Sequence, residues 1–150
     1  MSPPSGAIPQ NPSPPVKTIL DCIEGFCVGD IKIFENALDD AYIHETLPKS
    51  MGIPAQTKQE YLERVEKSML LLKDFRMIYH EVIEAPGKII VHGSNDGVSK
   101  SGRPYTNEYN FIFTVAESGG KWKITHIKEF VDSKYSLAFF AQERELQKQG

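Results

Sequence analysis

The stretch Lys123-Ile-Thr-His-Ile-Lys-Glu-Phe-Val-Asp-Ser133 has the apolar and polar alternation of a β-strand, yet it sets Glu129 between Ile127 and Val131 on one side of the pleat. The preceding segment, residues 107–115, alternates in the same way, and its odd-numbered residues form an apolar face. The turn Glu117-Ser-Gly-Gly120 lies between the two segments, so we expect an antiparallel hairpin. This hairpin predicts a carboxylate on the same face as aromatic rings.

The hairpin continues a region of period-two alternation that begins at Phe75. Four strand candidates follow one another there, and their connections are short, apart from a polar loop at residues 95–104. Short connections indicate antiparallel neighbours. The candidates are residues 75–84, 88–94, 105–116 and 122–131.

The first half of the chain has helical periodicity instead. Ser13 followed by Pro14 predicts a helix start, and Asp30 predicts the N-cap of a second, short helix. A brief strand is predicted at residues 41–45, and Thr57-x-x-Glu60 is a capping box that opens a third helix. Ser133 is the predicted cap of a last helix.

This order of elements predicts an α+β fold in which helices cover one face of a curved antiparallel sheet. A chain of 150 residues is the size of one domain. Residues 1–15 hold six of the ten prolines and are predicted to be a disordered tail, so the domain is expected to span residues 16–150.

Composition excludes several classes of function. The net charge of -3 gives no basic surface for nucleic acid or for an anionic membrane, and no apolar run has the length of a membrane span, so we predict a cytoplasmic protein. Cys22 and Cys27 match no redox or zinc motif and are predicted to be reduced thiols. Motifs for a metal or a nucleotide are not found either, so no cofactor is predicted.

The chemistry that remains is acid–base catalysis by side chains. A carboxyl group that is desolvated beside aromatic rings should have a raised pKa, which suits Glu129 to exchange protons near neutral pH. A nearby tyrosine, Tyr109 in particular, could orient this carboxyl group or donate a hydrogen bond to an oxyanion. The alternative is that Glu129 faces the outer side of the sheet and pairs with a lysine or contacts a second subunit.

Four short motifs occur in an order that resembles the NTF2-like superfamily, especially its SnoaL-like branch. They are Gly29-Asp30, Leu38-Asp-Asp-Ala41, Gly120-Lys-Trp-Lys-Ile124 and Glu129-Phe-Val-Asp132, and the likeness covers residues 16–133. The resemblance implies an NTF2-like, cone-shaped α+β barrel, in which the sheet wraps around the helices and encloses a pocket. It also implies a homodimer through the outer face of the sheet.

The resemblance further implies a cofactor-independent isomerase, cyclase or dehydratase that acts on a bulky, mostly apolar natural product, such as a polyketide, terpenoid or alkaloid. The site residues of fungal isomerases of this kind match this sequence best. The site residues of steroid isomerase match poorly, because its oxyanion-hole tyrosine would fall at Cys22 and its protonated aspartate at Phe111. A ligand-binding or protein-interaction module without catalytic activity is the alternative, and a purely structural dimer is a third.

The expected catalytic residues are Glu129, Tyr109, Tyr105 and one of His44 and Glu45. Strand alternation allows only one of the last two to face the pocket. The expected substrate-binding residues are Phe26, Asn107, Phe111, Phe113, Ile127 and Val131.

Overall fold

The structure is a computed structural model that describes residues 7–150, and it contains four helices and one seven-stranded sheet. The helices are α1 (Pro14–Cys27), α2 (Ile31–Ala37), α3 (Lys58–Leu71) and α4 (Ser133–Lys148). The strands are β1 (Leu38–Leu47), β2 (Gln56–Thr57), β3 (Leu72–Ala85), β4 (Lys88–Ser99), β5 (Pro104–Tyr105), β6 (Glu108–Ser118) and β7 (Lys121–Val131). A short 3-10 helix at Lys49–Met51 follows β1.

The sheet has the strand order β2-β1-β7-β6-β4-β3, with β5 paired to the end of β4. The predicted antiparallel pairs β3–β4, β4–β6 and β6–β7 are all confirmed. The sheet is mixed rather than wholly antiparallel as predicted, because the pair β1–β7 is parallel and brings the early strand beside the last one. The predicted loop at 95–104 was wrong in its first half, because β4 continues to Ser99 in register with the start of β3.

The sheet is strongly curled, and irregularities in the ladders accompany the curvature. Ile124 and Ile127 are both buried although they are three positions apart, a spacing that places residues on opposite faces of a regular strand. A register shift between the pairs Thr114–His126 and Val115–Ile124 makes this possible. At β4, a Cβ on Gly97 would lie 2.6 Å from the carbonyl oxygen of Asp74, so this position requires the close backbone approach that glycine allows.

The helix starts follow the predicted capping chemistry. Asp30 accepts hydrogen bonds from the Lys32 and Ile33 amides of α2, and both halves of the Thr57 and Glu60 capping box are formed. The last helix differs by one residue, because Asp132 rather than Ser133 accepts the capping hydrogen bond, from the Tyr135 amide.

The main core lies between α1 and the inner face of the sheet. Val16 and Ile19 of α1 are buried in the same cluster as Val91, Phe113 and Ile124 of the strands. This arrangement confirms the predicted α+β class with helices on one face of the sheet. No helix within residues 7–150 combines the length and apolar character of a membrane span.

The predicted tail, residues 1–15, lies partly outside the described residues, which begin at Ala7. Ala7 and Ile8 pack against the main core, and α1 begins at Pro14, inside the predicted tail. The division of the chain at residue 16 therefore stays a prediction.

Candidate functional site

A cavity of about 310 Å³ lies between the inner face of the sheet and helices α1, α3 and α4. Its volume is at the lower end of the range typical of small-molecule sites. Five of the six expected substrate-binding residues line it, namely Phe26, Phe111, Phe113, Ile127 and Val131.

Glu129 faces this cavity rather than the outer side of the sheet. Its side chain is only 15% exposed, and its direct ladder partners are Phe111 on β6 and Thr46 on β1. Both partners also line the cavity. Strand alternation, the hairpin register and the parallel β1–β7 pair therefore combine to place a carboxylate in a wall of aromatic and aliphatic side chains.

His44 positions the carboxylate of Glu129 through a hydrogen bond. Its Nε2 lies 3.0 Å from Oε1 of Glu129, and its Nδ1 lies 2.6 Å from the hydroxyl of Tyr42. The imidazole ring stacks on Tyr61 at a centroid distance of 3.6 Å and is fully buried. Burial lowers the pKa of His44 from its usual value, against the effect of the neighbouring carboxylate. In the neutral ring, Nε2–H donates to Glu129 and Nδ1 accepts from Tyr42.

The predicted rise in the pKa of Glu129 is wrong. Burial does act to raise the pKa, but the hydrogen bond and charge interaction with His44 and, to a smaller extent, the positive charge of Arg64 outweigh it, so the pKa is lowered from 4.5. The sequence showed the aromatic rings on the same face, but it did not show these two neighbours, which come from other elements. At neutral pH the cavity therefore contains a carboxylate that can accept a proton.

Glu45 points away from the cavity, so of the two alternating residues it is His44 that faces inward. The Glu45 carboxylate lies 2.6 Å from Nε2 of His126 on the neighbouring strand. This hydrogen bond is the main cause of the lowered pKa of Glu45. The structure therefore does not bring Glu45 together with the other expected catalytic residues.

Tyr105 and Tyr109 line the cavity with their rings, but their hydroxyl groups are used within the protein. The Tyr109 hydroxyl donates to Oδ1 of Asn95 at 3.2 Å and lies 3.0 Å from the hydroxyl of Tyr105. Asn107 donates to the Tyr105 hydroxyl and to Ser136, and it does not itself line the cavity. Burial raises the pKa of Tyr105 to about 12, so this network is uncharged.

The prediction missed several polar residues that line the cavity, most of them on helices. Arg64 and Ser68 come from α3, Arg144 comes from α4, and Thr46 comes from β1. Arg64 and Ser68 are four residues apart, so the sequence could have indicated that they share one face of a helix. The sequence alone did not indicate which side of this amphipathic helix would face a hollow rather than solvent.

No family model matches the chain, but curated relatives do. A protein of Claviceps purpurea named "Monooxygenase" is 27% identical over 133 residues, which cover 85% of this chain and 83% of the relative. "Monooxygenase dmxR10" of a Cryptosporiopsis species is 25% identical, over 82% of this chain and 83% of the relative.

Solved structures show the fold. The BvnE pinacolase of Penicillium brevicompactum has a TM-score of 0.78 at 16% identity, over 95% of this chain and 98% of that one. AusH of Aspergillus nidulans gives 0.70 at 22%, over 83% and 88%. An NTF2-like protein of Burkholderia pseudomallei also gives 0.70, at 17%, over 85% and 97%. The chain has the NTF2-like fold, as the sequence motifs predicted.

Proposed function

We propose that this protein is an enzyme that transfers a proton on a bulky, mostly apolar small molecule, with Glu129 as the general base. The observation that carries the proposal is the carboxylate of Glu129 in an apolar cavity, with His44 bonded to the oxygen Oε1. This geometry leaves Oε2 available to a substrate. Because the pKa of Glu129 is lowered from 4.5, the carboxylate is ionised at neutral pH and can accept a proton from a bound carbon acid.

The reaction steps balance without an external oxidant. Glu129 takes a proton from a carbon next to a carbonyl group, and the electron pair of the broken C–H bond moves onto the carbonyl oxygen. Return of the same proton to a different carbon isomerises the substrate. Attack of the new carbanion on an internal carbonyl carbon forms a ring, and the proton passes from Glu129 to the resulting alkoxide oxygen. Loss of a β-hydroxyl group as water gives a dehydratase. The pinacolase activity named for BvnE supports small-molecule chemistry on this fold.

A proton-exchange assay tests the role of Glu129 without knowledge of the natural substrate. The probe is 2-tetralone, whose α-protons exchange in D2O and are followed by NMR. The full-length protein should accelerate this exchange, and Glu129→Gln should lower the acceleration roughly a hundredfold or more. Glu45→Gln is the matched control and should retain the rate, because Glu45 faces away. Exchange by Glu129→Gln at the rate of the unmodified protein would reject the assignment.

Oxygen insertion is a second candidate, favoured by the relatives that are named monooxygenases. The first step is the same, since removal of a proton produces a carbanion that O2 can oxidise. A CH2 group plus O2 then gives a C=O group plus water, so one oxygen atom enters the product and the other leaves as water. Incubation of 2-tetralone under ¹⁸O2 distinguishes the candidates, because only oxygenation consumes O2 and labels the product.

The outer face of the sheet supports a proposal of a homodimer. Ile83, Ile90, Ile112 and Lys128 lie in one row across β3, β4, β6 and β7, and the exposed Phe130 lies in the next row. Burial of this row against a second copy would remove apolar side chains from water. Sedimentation equilibrium should give twice the chain mass, and Ile112→Lys should shift it toward the monomer. The proposed location stays cytoplasmic.

A further inference from the structure

Two arginines line a cavity whose walls are otherwise largely apolar. Arg64 is on α3 and Arg144 is on α4. Arg144 shares its helix face with Leu137 and Phe140, at spacings of seven and four residues, and all three line the cavity. Leu137 is 52% exposed, so this face of α4 forms the mouth of the cavity. Arg144 therefore lies at the mouth, where it is exposed.

Neither arginine is engaged in an ion pair with a carboxylate within residues 7–150. Arg76 and Arg103, by contrast, pair with Asp96 at 2.6 Å and with Glu143 at 3.3 Å. Arg64 is half-buried, and it donates one hydrogen bond to Oγ1 of Thr46 at 3.0 Å.

The ring of Tyr61 also helps to hold Arg64, since its centroid lies 5.1 Å from the guanidinium carbon. A guanidinium group has five N–H donors in a fixed plane, so most of them remain for a ligand. A half-buried cation with no counter-ion in contact favours the binding of an anion.

Glu129 is the other charged group of the cavity interior, and it does not neutralise Arg64 by direct contact. Its oxygen Oε1 is held by His44, and no ion pair joins it to Arg64 within residues 7–150. The two groups are nevertheless neighbours, because Thr46 accepts the hydrogen bond from Arg64 and is the ladder partner of Glu129. The cavity therefore has an acceptor of protons at the β1–β7 pair and a donor of hydrogen bonds on α3. This arrangement matches a substrate whose acidic oxygen and reactive carbon contact Arg64 and Glu129 at the same time.

We infer that the substrate carries an ionised oxygen, a carboxylate or phenolate on an aromatic skeleton, and that Arg64 binds this oxygen while the reacting carbon faces Glu129. This inference rests on the proposed function for its second half only. The planar fork of Arg64 suits two oxygens of a carboxylate, or one phenolate oxygen together with a neighbouring acceptor. Arg144 would attract the anion at the mouth. The aromatic rings that line the cavity would contact the skeleton of the substrate.

Calorimetric binding of three probes to the full chain tests the subsite. The probes are 2-naphthoate, the phenolate of 2,4-dinitro-1-naphthol, and neutral 2-naphthamide. The unmodified protein should bind at least one of the two anions roughly tenfold or more tighter than the amide, as expected for charge-assisted hydrogen bonds. Tighter binding of 2-naphthoate would indicate a carboxylate on the substrate, and tighter binding of the naphtholate would indicate a phenolate. Equal binding of all three probes, or no binding of any, would overturn the inference.

Substitutions then test whether Arg64 causes the preference for anions over the neutral amide. Arg64→Met should reduce it to less than about threefold, and Arg64→Lys should keep part of it, because the charge remains but the planar fork is lost. Arg76→Met is the matched control on the surface and should change nothing. If circular dichroism shows that Arg64→Met does not fold, Thr46→Val replaces it, since it removes the hydrogen bond that positions the guanidinium group and should weaken the preference.

The binding measurements test Arg64, and the proton-exchange assay tests Glu129, so the two assignments can fail independently. Glu129→Gln should bind 2-naphthoate at least as tightly as the unmodified protein does, because it removes a negative charge from the cavity. If Glu129→Gln abolishes exchange but Arg64→Met keeps the preference for anions, the subsite is wrong and the base assignment stands. If Arg64→Met loses the preference but Glu129→Gln keeps full exchange activity, the base assignment is wrong and the site remains an anion-binding one.

Discussion

His44 on β1 and Glu129 on β7 are joined by a contact of 3.0 Å between Nε2 and Oε1 across the parallel pair of strands. The two residues are 85 positions apart in the chain, and the hydrogen bond depends on the β1–β7 register. Because His44 is buried and is itself held by Tyr42, the orientation of the carboxylate is fixed by side chains with little freedom. His44 is thus a positioning residue for the proposed base.

Removal of the His44 contact should shift the pH dependence of proton exchange. In the unmodified protein, exchange should be lost only as pH falls below 4.5, because the pKa of Glu129 is lowered and the carboxylate is present above it. His44→Phe keeps a ring beside Tyr61 but removes the hydrogen bond. The acidic limb of the pH profile, which is the pH range where exchange is lost, should then move to higher pH, since burial alone raises a carboxyl pKa. Exchange rates between pH 4 and 8 measure the shift.

The matched control for His44 is Tyr42→Phe, which removes the hydrogen bond to Nδ1 and leaves the contact with Glu129 in place. It should cost about 1 kcal/mol of stability and move the acidic limb less than His44→Phe does. An unchanged limb in His44→Phe would show that the imidazole does not set the pKa of Glu129.

Tyr109→Phe should affect stability more than rate. The Tyr109 hydroxyl is bonded to Asn95 and Tyr105, so its loss removes two buried hydrogen bonds, at a cost of about 1–3 kcal/mol, although both partners keep a bond from Asn107. Urea denaturation measures this cost, and proton exchange on 2-tetralone measures the rate. A loss in rate of a hundredfold, with stability unchanged, would instead assign the hydroxyl to the substrate as the sequence first suggested.

Local patterns were sufficient to predict much of the fold. The capping box at Thr57 and Glu60, the alternation in β6 and β7 and the turn between them each depend on neighbours in sequence, and the structure confirms them. The parallel β1–β7 pair and the extension of β4 to Ser99 depend on distant partners, so periodicity could not indicate them.

In the site, too, features set by neighbours in sequence were predicted and features set by distant partners were not. Alternation placed Glu129 on the side of Phe111, and both line the cavity. The lowered pKa of Glu129 required His44 and Arg64, which reach it from another strand and from a helix. Side chains whose partners lie on separate elements were therefore the residues whose chemistry the sequence misjudged.

Glu143 of α4 should make a pH-dependent contribution to stability. Although burial acts to raise its pKa, hydrogen bonds from Gln147 and Ser101 lower it from 4.5 to about 2. Its carboxylate also pairs with Arg103, so it ties α4 to the β4–β5 connection. Glu143→Gln should destabilise the protein by on the order of 3 kcal/mol at pH 7. The difference should shrink as pH falls from 4.5 toward 2, since a lowered carboxyl pKa stabilises only the ionised state. Urea denaturation at several pH values measures it.

Filling the cavity should block ligand binding without unfolding the protein. Ser68 lines the cavity from α3 and is half-buried, so the ring of Ser68→Phe can occupy the hollow beside Arg64 rather than displace packed atoms. The affinity for 2-naphthoate should fall at least tenfold, while the midpoint of thermal unfolding changes little. Lys67→Phe is the control, because Lys67 is exposed and next in sequence. Equal affinity in both variants would mean that the ligand binds elsewhere, and the protein would then be better described as an interaction module than as an enzyme with an internal site.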